Sequence, residues 1–217
     1  MRRVIVVLIL LAGCHQHEAD EAATPVERRP APAAVTASAT ETAAAPHVSV
    51  RGADGKELLT ISESASNVDI AFVAADGAKR TLHGDMRESG KRKYRIGDGG
   101  VMFEVKPGDD QGFKLRLADG KLKWKIKVAP EKIKVSDNEE NKNPFELKVR
   151  DGGRFKVVAP GDRELGNVRD GAVEDASGKK IFTFEGKTSA AYGVLLLDSV
   201  PEIERYILVA EIVSRGR

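Results

Sequence analysis

Thiols, imidazoles and clustered carboxylates are the side chains with which a protein attacks bonds or holds metals, and this chain carries few of them. Its 217 residues include one cysteine, Cys14, and four histidines, His15, His17, His47 and His83. A zinc centre collects three or four ligands. His15 and His17 could touch one metal ion, but two exposed imidazoles in a polar tail are too few to hold it. His47 and His83 stand alone and read as strand or edge residues. The acidic run Asp137-Asn138-Glu139-Glu140-Asn141 offers oxygens to a hard cation, yet it lacks the ordered spacing and the glycine of an EF-hand loop; it reads as a solvated turn. Glu174 and Asp175 flank a hairpin and are expected to pair with nearby lysines. No serine sits in a nucleophile elbow, and Gly97-Asp98-Gly99-Gly100 falls between strand-like runs, as a turn does, not as a phosphate loop. The sequence therefore predicts no catalytic residue, no metal site, no cofactor and no enzymatic activity.

Cys14 has a different chemistry in prospect. Arg2 and Arg3 precede an apolar run over residues 4–12, and Leu11-Ala12-Gly13-Cys14 ends it before the sequence turns polar. The run has the length of a secretion-signal core and is short of the ~20 residues that span a bilayer. Leu11-Ala12-Gly13-Cys14 resembles the box of bacterial lipoproteins. That resemblance implies a leader over residues 1–13, diacylglyceryl transfer to the Cys14 thiol, cleavage before it, and fatty acylation (palmitate or a similar chain) of the new amine. In two-membrane bacteria an Asp after the lipidated cysteine favours the inner membrane. His15 stands here, so the resemblance implies an envelope lipoprotein, exported to the periplasm and sorted to the outer membrane. With no second cysteine a disulfide within the chain is excluded. Each acyl methylene contributes about 0.8 kcal/mol to membrane binding, so two or three chains hold firmly.

Removing the leader takes Arg2 and Arg3 with it and leaves 33 basic against 33 acidic side chains. Such a balance argues against a nucleic-acid partner. Residues 14–46, rich in Ala, Pro, Thr and Glu, cannot bury enough apolar surface to offset ordering and read as a disordered tether. Residues 47–217 suffice for a single domain.

Within that domain the dominant period is two. Phe113, Leu115 and Leu117 alternate with Lys114 and Arg116; Leu122, Trp124, Ile126 and Val128 alternate with lysines; Ile133, Val135, Phe145, Leu147, Val149, Phe155 and Val157 continue the pattern. Such alternation predicts half-buried antiparallel strands. Asp54-Gly55, Asp76-Gly77, Asp119-Gly120, Asp151-Gly152 and Ser177-Gly178 punctuate them, as expected of tight hairpins whose two central residues take positive φ. A unit recurs as ADGKELLTI, ADGKLKWKI and ASGKKIFTF, 65 and 58 residues apart. That spacing is too irregular for a solenoid. About ten to thirteen such strands must curl around a core, as a closed barrel of about 12 strands or as a β-sandwich.

Past residue 188 the alternation stops. An apolar run over residues 194–197 and then Ile203, Tyr206, Ile207, Ala210 and Val213 at helical spacing predict a buried helix or helix pair, kinked near Pro201. Ser199, Pro201 and Glu202 suggest a capping box at its start. A many-stranded antiparallel domain with such a terminus, SAAYGVLLLDSVPEIERYILVAEIV, resembles the tubby-like, LURP-one and scramblase-related superfamily. That resemblance implies a 12-stranded barrel around a C-terminal helix and binding of lipid headgroups or partners on the barrel surface; no binding residue of that family aligns to this chain.

The strongest surface feature is cationic. Residues 112–170 hold fifteen Lys or Arg against ten Asp or Glu. Lys123, Lys125 and Lys127 share a strand face, with Lys132 and Lys134 beside them, and together they could attract anionic lipid or an acidic patch of an envelope protein; solubilising a sheet face is the plainer use. The expected function is a non-catalytic binding or scaffolding module anchored in the cell envelope. The alternatives are a carrier holding an apolar molecule and an envelope enzyme acting on glycan or lipid. A helix filling the lumen would speak against the carrier, and an empty apolar cavity for it.

Overall fold

The computed structural model describes residues 48–216; Cys14, His15, His17, His47 and the tether lie outside them. The described chain is a meander of fourteen antiparallel strands: β1 (Val48–Gly52), β2 (Glu57–Glu63), β3 (Asn67–Val73), β4 (Lys79–Met86), β5 (Arg92–Ile96), β6 (Phe103–Pro107), β7 (Phe113–Leu117), β8 (Leu122–Ala129), β9 (Lys132–Ser136), β10 (Phe145–Val149), β11 (Phe155–Val158), β12 (Glu164–Arg169), β13 (Ala172–Asp175) and β14 (Lys180–Glu185). Each strand pairs with its sequence neighbours, and β1 closes on β14 with Val50 opposite Phe184. The architecture is a closed barrel and not a sandwich. Two strands more than about 12 are present, because segments such as β13 carry four residues, three of them consecutively buried, and leave no alternation to count.

Alternate residues point into the barrel. On β8 Trp124, Ile126 and Val128 are buried, while Lys125 is partly exposed and Lys127 exposed. Leu59, Ile70, Leu82, Leu115, Val135 and Leu147 are each fully enclosed, and such burial contributes about 1.5–3 kcal/mol per side chain. The outward positions carry Lys114, Arg116, Lys134, Lys148 and Lys156. A bilayer-spanning barrel turns an apolar band outward, so this wall faces water.

The hairpins differ from expectation in turn type. At Gly52, Ala74, Leu117 and Asp175 the carbonyl accepts from the glycine amide three residues on, and the amide donates to the carbonyl four residues on. Three loop residues are enclosed each time: Ala-Asp-Gly at the first three sites and Ala-Ser-Gly at the last. Only the glycine takes positive φ, 77° at Gly55 for example. This is a type I turn with a left-handed glycine bulge, not a two-residue turn with both centres left-handed. The aspartate closes it: Asp54, Asp76 and Asp119 each accept a backbone amide two residues on, at 2.8–3.0 Å. The recurring Ala-Asp-Gly or Ala-Ser-Gly unit is thus one loop design, used four times at one end of the barrel, since a meander sends alternate turns to opposite ends; Glu88-Ser89-Gly90 repeats its bonding at the other end.

The lumen is occupied. After β14 the chain forms a 3-10 segment, Ala190–Leu196, packed on β10–β13, and returns as α1 (Glu202–Ser214). Ser189 accepts the Ala191 amide at 3.1 Å to begin the 3-10 turn. The expected cap at Ser199 is absent: α1 starts after Pro201 with no side-chain cap bond. Residues 206–212 of α1 are all buried, so the helix is covered on every face, as a helix inside a wall must be. Gly193 makes room for the neighbouring strands, since a Cβ there would stand 2.7 Å from Val157 Cγ2. Among the described residues no helix is long and apolar enough to cross a membrane.

Candidate functional site: a cavity at the barrel rim

Two carboxylates of α1 enter the lumen, and both are consumed there. Glu211 is 0% exposed. Its Oε1 accepts from Arg92 Nη1 at 2.6 Å and from the Tyr94 hydroxyl at 2.8 Å, and its Oε2 accepts from Arg215 Nη2 at 3.0 Å. Arg215 also stands 4.8 Å from the Phe113 ring centre, on the ring face that favours a cation. Burial is the largest single influence on Arg92 and lowers its affinity for its proton, but charge and hydrogen bonding from Glu211 and Tyr94 together outweigh it and raise that affinity. Tyr94 is held well above the ordinary phenol range, first by burial and then by Glu211. Its ring reaches Glu211 by lying over Gly84, its partner across the β4–β5 pair. Near the other end of α1, Glu204 accepts from Trp124 Nε1 and pairs with Lys123 at 3.2 Å. Each carboxylate oxygen is satisfied by its partners, and neither carboxylate lines the cavity described next. They bolt the helix to the wall.

The concave feature lies where α1 ends. A cavity of about 520 Å³ opens at the rim that carries the β8–β9 and β10–β11 turns, the first residue of β1 and the chain leaving β14. Its walls are apolar: Ile133, Leu147 and Phe155 from the barrel, Ala190 and Tyr192 from the 3-10 segment, and Val213 from the helix. Tyr192 stacks on Phe184 with ring centres 3.9 Å apart, and burial pushes its hydroxyl up to about 12. Two cations, Lys132 and Lys187, also line the cavity, and no ion pair is formed by either among the described residues. The volume falls in the range of small-molecule sites.

Of the five lysines singled out, three are compensated. Lys123 holds Glu204; Lys125 meets the Glu139 carboxylate at 3.8 Å and donates to its backbone carbonyl; Lys134 holds Glu146 at 3.3 Å. Lys127 points to solvent, and Lys132 lies at the cavity. Glu139 is the hub of the acidic loop: Lys114 and Arg116 reach it at 2.6 Å and, by hydrogen bonding and charge, hold its carboxyl below the usual range. Asn138 ties that loop shut through both the carbonyl and the amide of Lys142. Glu174 pairs with Arg169 and not with a lysine, while Asp175 closes the last hairpin turn. His83 lies 2.9 Å from Asp69 across two strands. Among the described residues no three metal-ligating side chains cluster.

Sequence reasoning missed Lys187 and the cavity itself, whose walls come from segments separated by many residues. The one legible trace was Lys187 interrupting the passage from β14 to the apolar terminus. No family model, no curated protein and no solved structure matches this chain.

Proposed function

We propose that this chain is a bacterial envelope lipoprotein, held at the outer membrane by a lipid on Cys14, whose barrel is a non-catalytic module that binds through the cavity at its rim. The observation that carries the binding role is the cavity: an apolar recess of about 520 Å³ edged by a partly buried Lys132 and an exposed Lys187, in a barrel whose buried charges are paired. A carrier holding its cargo in the lumen is disfavoured by the helix that fills it, so any small ligand belongs at the rim. The anchor rests on Leu11-Ala12-Gly13-Cys14 behind two arginines and an apolar run.

A closed antiparallel barrel around its C-terminal helix supports the likeness to the tubby-like superfamily, and fourteen strands in place of twelve speak against a close one. The anchor is tested by replacing Cys14 with serine. Incorporation of radiolabelled fatty acid should cease and the protein should leave the membrane fraction. Continued labelling, or unchanged membrane association, would remove the lipid from the account.

A further inference from the structure

We infer that the rim cavity takes one long-chain carboxylate, the alkyl chain among Ile133, Leu147, Phe155 and Val213 and the carboxylate between Lys132 and Lys187. This rests on the reading of the cavity as the binding site and adds the chemistry of its ligand. The combination of an apolar lining with two lysines on it is what points there. Along the barrel wall, Lys114, Lys134, Lys148 and Lys156 are matched with a carboxylate at 2.6–3.3 Å, while Lys93 and Lys127 have no such match among the described residues but stand away from any apolar recess. Lys132 and Lys187, beside the apolar recess, have no such match among the described residues. A cation left unmatched next to an apolar wall fits a ligand that is anionic at one end and apolar along the rest. A carboxylate supplies that charge and can bond to two ammonium groups at once. A neutral apolar molecule would leave both lysines unused, and a small polar anion would leave the recess wet.

The mouth is open to such a ligand. Val149, at the end of β10, is 41% exposed at the cavity although it is apolar, as a residue at an entry is. Thr188, in the segment joining β14 to the 3-10 turn, also lines the cavity and offers a hydroxyl beside Lys187.

The test uses the full chain carrying Cys14→Ser, which removes its own lipid as a competitor, titrated with sodium dodecanoate below its micelle concentration. Calorimetry should show saturable binding, and native mass spectrometry one dodecanoate per chain. Joint replacement Lys132→Ala and Lys187→Ala should weaken dodecanoate binding by about tenfold or more while leaving dodecan-1-ol bound as before. Val149→Trp, at an exposed position that tolerates bulk, should obstruct both ligands. Absence of dodecanoate binding, or binding untouched by the lysine pair and by Val149→Trp, would overturn the assignment. Because the anchor is read separately, from membrane fractionation of the same Cys14→Ser chain, loss of the ligand assignment leaves that result standing.

Discussion

Glu211→Ala tests whether the lumen is held by charge. The substitution removes the acceptor of three donors at once. Arg92, whose side chain is 7% exposed, would keep its charge with no counter-ion, and its buried Nε has no hydrogen-bond partner among the described residues to share the load. Tyr94 would lose the acceptor of its hydroxyl, whereas Arg215, at 24% exposure, can turn to water. Breaking a buried pair by removing one partner costs about 3–5 kcal/mol, and the stranded hydroxyl overlaps with that figure and does not add fully to it. A loss of about 4 kcal/mol is a large share of the roughly 5–15 kcal/mol that holds a domain together. With a urea m-value of about 2 kcal/mol/M, the midpoint should fall by about 2 M. Trp124 is the only tryptophan, so its fluorescence and far-ultraviolet circular dichroism give two independent readings of the transition. The double variant Arg92→Met with Glu211→Met should lose less than Glu211→Ala alone, because no charge is then left buried. A loss under about 1 kcal/mol for Glu211→Ala, or a double variant that loses the sum of its two single changes, would refute the argument.

Alkali should unfold the barrel through its tyrosines. Tyr94, Tyr192 and Tyr206 are all raised above the ordinary phenol value, chiefly by burial, and Tyr192 reaches about 12 from 10.0. The unfolded chain releases these protons near pH 10 while the folded one retains them, so stability is intact below pH 10 and drains away as pH rises toward 12. Absorbance at 295 nm should therefore rise together with loss of circular dichroism, and phenol ionisation centred at pH 10 in a chain that stays folded would contradict this. At Gly84 a Cβ would stand 2.6 Å from Tyr94 Cε1. Gly84→Ala should thus cost about 1–3 kcal/mol, seen as a lower melting temperature; an unchanged melt would show that the ring has room to move. Among the surface lysines, Lys127→Glu should leave stability within about 0.5 kcal/mol, while Lys123→Glu sets a like charge against buried Glu204 and should destabilise clearly. Equal melts for the two would discount the Lys123–Glu204 pair.

Alternation made the strands legible from β7 to β11, because one set of side chains is apolar and the other cationic almost without exception. The turn type was not legible, since Asp-Gly is compatible with two loop lengths and the choice is made by which carbonyl the glycine amide finds. Ser199 has the chemistry of a helix cap, but the helix begins three residues later, where Pro201 leaves no side-chain acceptor. The acids of α1 were the larger surprise. Glu204 and Glu211 sit where a helix in a bundle would show its wet face, and nothing local to them announces Trp124 or Arg92, 80 and 119 residues distant. The cavity shares that difficulty. Its lining gathers five separated stretches of chain, each unremarkable by itself.

The seam between β1 and β14 has a consequence for how the molecule is made. Thirteen of the wall contacts are hairpins that neighbours in the sequence can zip as they emerge, but the fourteenth joins the first strand to the last. A chain that emerges N-terminus first, from a ribosome or an export channel, delivers β1 before β14, so the earliest strand waits with an open edge, and the plug that gives the wall its interior arrives later still. Chains cut short before α1 would be left as a sheath around nothing, so a helix made after all fourteen strands decides whether they were worth assembling.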